Sequence, residues 1–263
     1  MIRSPAVAGT FYPVDAARLR AVVASCLAEA SGAPGDRPPK AVIAPHAGYV
    51  YSGPVAGHAF AALGAAASQI RRVVVIGPAH FVPVQGLAVP SAEVFRMPLG
   101  DVPLDRAAIA GILDLSQVEL ADAPHRPEHA LEVELPFLQA VLGDFALVPL
   151  LVGDATPDDV ANVLGRLWDG PETLVVISSD LSHYEPYASA RGHDAATAEA
   201  IERLDEAALG PRDACGYLPI AGLLIEARRR RMQALRLDLR NSGDTVGPKD
   251  QVVGYGAWAF CEA

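Results

Sequence analysis

Three apolar runs in the sequence end in polar loops, and each loop carries a histidine. They are AVIAPHAGY with His46, VVVIGPAHF with His80, and LVVISSDLSHY with His183. Imidazole is the commonest protein ligand for a transition metal and the natural acid/base near neutral pH. Two histidines on adjacent strand ends with one oxygen ligand would leave open positions for a substrate and dioxygen, as non-haem Fe(II) favours. His46 and His80 are the candidates for that pair. Both lie in turn sequences, Pro45-His46-Ala47-Gly48 and Gly77-Pro78-Ala79-His80, where the backbone can approach a ligand closely. Any one of these histidines, taken alone, is as well explained by a hydrogen bond to its own loop. Three in equivalent places make a candidate site.

A second cluster holds His125, Glu128, His129, Glu132 and Glu134. On a helix, His129 and Glu132 would share a face, as would Glu128 and Glu132. In that arrangement His129 and Glu132 would bind a metal or orient the rim histidines. The plain alternative is an acidic, solvated helix start, and Glu134 is assigned to it. Asp180 stands just before His183, where it would fix that imidazole's tautomer or cap the following helix.

The elements that must position these residues follow from periodicity. Val73-Val74-Val75-Ile76 is short, β-branched and bounded by Gly77 and Pro78, the pattern of a strand buried on both faces. Strands are predicted over 41–45 and 72–77, and in ALVPLLVG, TLVVISSD, RLDL and VVGYGAWAF. In RLDL and its flanks, Leu235, Leu237 and Leu239 alternate with other residues, which predicts one buried face. Helices are predicted over 15–30, 54–67 and 187–208, near 104–114, through EHALEVELPFLQAVL, after Thr156, and after Pro219. Pro136 should kink its helix or mark where one segment ends and another begins. SGAPGDRPPK at 31–40 reads as a loop, and 84–105 as short extended pieces, an edge hairpin among them. Helices alternating with strands give an α/β class with a mostly parallel central sheet flanked by helices. Ligands of such sheets sit outside the strand C-terminal ends. With no long linker or composition break, residues 1–263 are expected to form a single domain.

Composition narrows the function classes. A chain of 263 residues that is 51% hydrophobic can build a sizeable core, and its formal charge of −10 repels a phosphate backbone, so no nucleic acid partner is expected. No apolar run approaches the roughly 18 residues of a membrane span. No secretory segment opens the chain, which meets Pro5, Gly9 and Pro13 at once. The cysteines, Cys26, Cys215 and Cys261, lack paired spacing, which fits a reducing, cytoplasmic setting. Cys26 falls on an amphipathic helix face and reads as a small buried hydrophobe.

The strings PHAGYVYSG, GPAHFVP, EHALEVELPFL and ISSDLSHY resemble the Memo proteins, above all the branch called AmmeMemoRadiSam system protein B. SPAVAGTFYP, ACGYLPIAGLL and RNSGDTVGPKDQVVGYGA are similar to that branch too, so the likeness runs from about residue 3 to 260. The resemblance implies the α/β fold of class III extradiol dioxygenases, whose iron is held by two histidines and a carboxylate. Matched by motif, His46 and His80 correspond to the metal-binding pair and His183 to the acid/base histidine. Some eukaryotic members complete the site with a cysteine near the C-terminus, where this chain has Asn241-Ser242-Gly243-Asp244. The third position is left open: Asp244 could supply a carboxylate, Ser242 is a poor ligand, and water could fill the place, while the loss of a thiolate would favour harder metals. Cys215 matches a Cys-Gly stretch of the family close to the pocket. With only Arg212 nearby to lower its pKa, it is expected to be unreactive.

Two functions remain open on these grounds. One is a metal-dependent oxidoreductase of extradiol dioxygenase type, using Fe(II), or Cu or Zn, with His183 moving a proton. The other is a binding or scaffold protein that holds a peptide or small acidic ligand in the same pocket, lined by Tyr49, Tyr51 and Tyr184. The resemblance implies radical SAM and AMMECR1-type partners.

Overall fold

The computed structural model describes residues 1–30 and 38–262. Of the loop expected over 31–40, positions 31–37 lie outside the described residues. The chain runs β1 (Ile2–Arg3), α1 (Ala16–Glu29), β2 (Ala41–Ala44), α2 (Tyr49–Ala61), β3 (Arg72–Pro78), β4 (Leu87–Val89), β5 (Val94–Phe95), β6 (Val102–Pro103), α3 (Arg106–Ala110) and β7 (Val118–Leu120). It continues through α4 (Asp122–His125), α5 (Leu135–Val141), β8 (Ala146–Val152), α6 (Pro157–Leu167), β9 (Thr173–Ser178), β10 (His183–Glu185), α7 (Tyr187–Glu202), α8 (Tyr217–Arg229), β11 (Met232–Asn241) and β12 (Val252–Glu262).

The class is α/β, with one large sheet between helices. Its centre, in the order β2-β9-β3-β8, is parallel throughout. Antiparallel β12 extends it on one side and antiparallel β4 on the other. Strands β1, β5 and β6 form a separate three-stranded sheet. Every residue of β2 and β9 is buried. That is why these strands read as unbroken Val/Ile runs: a strand covered on both faces has no polar side to show.

Helix starts follow local chemistry. The Asp15 carboxylate accepts from the Arg18 amide and caps α1. Thr156 and Asp159 exchange bonds in a capping box ahead of Pro157, and α6 begins there. Helix α2 instead begins at Tyr49, five residues before the predicted start, so Pro54 lies inside it. Its first amide, on Tyr49, donates to the carbonyl of Phe11 at 2.8 Å, a distant partner that replaces a local cap. The end of that predicted helix, 64–67, instead falls in a 3-10 segment over Gly64–Gln69. Likewise α8 starts two residues before Pro219, and α7 ends at Glu202, short of 208.

The segment EHALEVELPFLQAVL is not one helix. Residues 132–134 make a single 3-10 turn, and α5 starts at Leu135 with Pro136 in its first turn. Proline has no amide to give to a preceding turn, so it opens this helix rather than interrupting it. The predicted sharing of a helical face by His129 and Glu132 therefore does not occur. On β11, Leu237 and Leu239 pack against the core, but Leu235 is exposed. A register irregularity between Arg236 and Asp238 disturbs the two-residue alternation on which the expected common face depended.

Candidate metal centre

Parallel β2, β9 and β3 deliver their C-terminal ends to one rim. Two residues past β2 stands His46, two past β3 stands His80, and Asp180 and His183 follow β9. Because β9 lies between β2 and β3, the two histidines are not on adjacent strands, as expected from the sequence. They meet across its end. The ring centroids of His46 and His80 are 5.3 Å apart, and His129 completes a triangle at 5.4 Å and 4.9 Å.

Cys215 enters the same space from the loop before α8. Its Sγ lies 3.3 Å from Nε2 of His46. His46, His80 and Cys215 each offer one donor atom, all mutually within 4.8 Å, and His80, Glu128 and His129 form a second such group. The thiol was expected beside the pocket as an inert neighbour; its position makes it a candidate donor.

Each of the paired imidazoles is oriented through Nδ1. His46 Nδ1 is 2.8 Å from Ser178 Oγ, and its backbone amide donates to Asp180 Oδ1 at 2.9 Å. His80 Nδ1 is 2.9 Å from Glu128 Oε1, and its amide donates to Oε2 at 2.7 Å. The amides of His129 and Ala130 also donate to Glu128. Such contacts at Nδ1 turn Nε2 toward the space between the rings, which is how metal-binding histidines are usually held. Glu128, not Glu132, is the carboxylate that orients a rim histidine. Its signal in the sequence was its place in the 125–134 cluster.

Electrostatics favour neutral imidazoles at His46, His129 and His183. Burial holds His46 well below its usual pKa, and His129, His80 and His183 add to the effect. Burial also lowers His129, with Glu128 opposing, and His183. Burial pushes the Glu128 carboxyl up, but the His80 hydrogen bond and nearby amides outweigh it and leave the pKa below the ordinary value. The buried Asp180 is raised to about 7, and burial pushes the Cys215 thiol up to about 12. An uncharged thiol is what a dry pocket prefers until a cation replaces the proton.

The remaining expected residues are placed elsewhere. Asp180 does not hold His183, whose Nδ1 is 2.8 Å from the carbonyl of Leu181; its carboxylate secures the His46 loop instead. Nor does Asp180 cap α7, which has no side-chain cap. Asp244 accepts from the Tyr187 hydroxyl at 2.6 Å and the Asn241 amide at 3.0 Å, and neither donor group includes it. Ser242 Oγ accepts from the Val253 amide, pinning the β11–β12 connection. Tyr49 is a core residue whose hydroxyl donates to the Val133 carbonyl at 2.6 Å, whereas Tyr51 and Tyr184 are exposed. Glu132 is fully buried and accepts from Arg3, Tyr12 and the amides of Ala6 and Val7. It anchors the N-terminal segment. Glu134, expected at a solvated helix start, is buried too.

A cavity of about 850 Å³ lined by Lys40, Trp168, Thr173 and Arg230 lies at the opposite, N-terminal ends of the strands. It is remote from this chemistry.

The family described as Memo-like protein matches residues 3–259. A MEMO1 family protein of Sulfolobus acidocaldarius is 34% identical over 97% of this chain and 98% of its own length. Those of Nitrosopumilus maritimus and Aeropyrum pernix are 33% and 37% identical, covering 99% and 97% of this chain and 100% and 98% of theirs. The chain belongs to the Memo-like protein family.

Proposed function

We propose that the protein is a metal-dependent oxidoreductase that binds one transition-metal ion through His46, His80 and Cys215. The observation that carries this reading is the approach of the Cys215 thiol to His46 Nε2 at 3.3 Å, with a donor atom of His80 within 4.8 Å of both. Two imidazole nitrogens and a sulfur suit iron, copper or zinc, and suit magnesium or calcium poorly. Iron(II) is the ion proposed first. When bound, such an ion supplies Lewis acidity and, for iron or copper, an electron.

The chain's own residues do the rest. Ser178 and Glu128 hold the imidazoles in place, and Asp180 holds the backbone of the His46 loop. His183, with Nδ1 tied to the Leu181 carbonyl, keeps Nε2 free to take a proton from a substrate hydroxyl. Its lowered pKa leaves it neutral, and so basic, at neutral pH.

One observation favours a second reading. Phe81, beside His80, is 57% exposed, and Tyr184, beside His183, is 69% exposed. Exposed aromatic side chains suit recognition of a peptide or small acidic ligand without turnover. On that reading the radical SAM and AMMECR1-type proteins are the partners to test by co-purification.

Anaerobic purification with elemental analysis separates the two. About one iron per chain, lost in His46→Ala, His80→Ala and Cys215→Ser, supports the oxidoreductase and justifies screening catechols for oxygen uptake. A wild type that takes up no iron, copper or zinc sinks it.

A further inference from the structure

Behind His46 lies a buried group that the site does not explain. Glu134 is fully buried, and its Oε1 lies 2.8 Å from Ser178 Oγ. Its Oε2 has no hydrogen-bond partner. The same Ser178 Oγ lies 2.6 Å from the Ala130 carbonyl oxygen and 2.8 Å from His46 Nδ1.

A hydroxyl has one proton to give and two lone pairs to receive. Ala130's carbonyl can only accept, and its contact with Ser178 is the shortest of the three. The Ser178 proton must therefore point at Ala130; otherwise two oxygens would face each other at 2.6 Å with no hydrogen between them. Both remaining neighbours must then donate to Ser178. His46 does so only if Nδ1 carries its proton. Glu134 does so only if it carries a proton as well.

We infer that Glu134 is a neutral carboxylic acid in the folded protein and that Ser178, held between it and Ala130, fixes His46 as the Nδ1–H tautomer. Glu134 and Ser178 are thus positioning residues. The orphaned Oε2 fits this assignment, since an unpaired carbonyl oxygen in a dry core is far less costly than an unpaired carboxylate oxygen. Burial, with the charge of Asp180 adding to it, outweighs the Ser178 contact, which acts the other way, and favours the protonated form of Glu134. The tautomer leaves the Nε2 lone pair of His46 aimed toward Cys215. The importance of that lone pair to a metal rests on the proposed function; the protonation states do not, and the test uses metal-free protein.

Wild-type protein labelled with ¹³C-carboxyl glutamate and ¹⁵N-histidine reads both states directly. The expected result is a Glu134 carboxyl shift of the acid form that persists at alkaline pH, where Asp180 has ionised, with His46 as the Nδ1–H tautomer. Glu134→Gln, whose amide NH₂ replaces the acid O–H as donor, should keep the melting temperature and the His46 tautomer. Ser178→Ala removes the acceptor and should let His46 populate Nε2–H. A carboxylate shift for Glu134 at neutral pH, or an Nε2–H His46 in the wild type, overturns the inference. Either result would do so whether or not the protein binds metal.

Discussion

Cys215 Sγ and His46 Nε2 lie 3.3 Å apart, although 169 positions separate the two residues in the chain. That contact closes the rim of the sheet from the α8 side and changes its chemistry. Without the thiol, the rim offers imidazole nitrogens and the Glu128 carboxylate beside His80. With it, the donor set is soft enough to hold copper or zinc as well as iron. Replacing Cys215 by Ser keeps the shape and removes the soft donor. Metal content should fall well below one ion per chain, with the melting temperature of the metal-free protein little changed. Elemental analysis beside a thermal melt checks it, and full occupancy in Cys215→Ser would exclude the thiol as a ligand.

Glu128 accepts from both His80 groups and from the amides of His129 and Ala130. A Gln side chain has one acceptor oxygen, so at least one buried donor loses its partner, costing about 1–3 kcal/mol. Metal affinity should fall by roughly 10–100-fold, as for other groups that orient a metal-binding histidine. Competition with a chelator measures the affinity. An unchanged constant would mean that His80 is held by its loop alone.

Much of this arrangement was legible in the sequence, for a definite reason. Strands β2, β3 and β9 are buried on both faces, so their Val/Ile runs could be read without partners, and their parallel order put the histidines on one rim. What the sequence withheld depends on contacts far apart in the chain. The α2 start rests on Phe11, the burial of Glu132 on Arg3 and Tyr12, and the place of Cys215 at the rim on His46. Acidic residues ahead of an apolar run usually mark a solvated helix start; here Pro136 moved the helix and left Glu128, Glu132 and Glu134 in the interior.

Glu132 gives the largest stability prediction. It is the buried acceptor for the Arg3 guanidinium and holds the N-terminal segment against the sheet. Removing one partner of a buried ion pair costs about 3–5 kcal/mol, because the other charge stays buried. Glu132→Ala should lower stability by that amount in urea titrations and expose the segment before Tyr12 to proteases. A loss under about 1 kcal/mol would show that Arg3 escapes to solvent, as surface pairs do.

His193 predicts the sign of a pH effect. Its Nε2 is 2.6 Å from Asp213 and its Nδ1 2.8 Å from Glu185, so both contacts are satisfied only by the imidazolium. The hydrogen bond to Asp213, then that to Glu185 against partial burial, raises its pKa above the ordinary value. A raised folded-state pKa gives stability that is fully present below the unfolded value, near 6.5, and lost as pH rises through the folded one. The melting-temperature gap between wild type and His193→Gln should be widest in mild acid and narrow toward alkaline pH. Solvent screening keeps it small. A gap that widens with pH would mean the imidazole is held neutral.

Two glycines in helices should respond oppositely to alanine. In α7, a Cβ at Gly192 meets nothing within 4 Å, so Gly192→Ala should gain the usual helix preference, about 0.5–1 kcal/mol. In α2, a Cβ at Gly57 would stand 2.7 Å from the carbonyl carbon of Cys26, and closer still to its oxygen. These are backbone atoms of α1 and cannot swing aside. The helix preference is the same, yet forcing the two helices apart costs about 1–3 kcal/mol, so the net change at Gly57 is a loss. Because α2 follows directly from the His46 loop, that separation should also disturb the rim, whereas Gly192→Ala should not. Urea titrations of the two variants compare the energies directly. Equal stabilisation of both would mean that α1 is free to move away from α2, and that the close approach at Gly57 does not fix the position of the His46 loop.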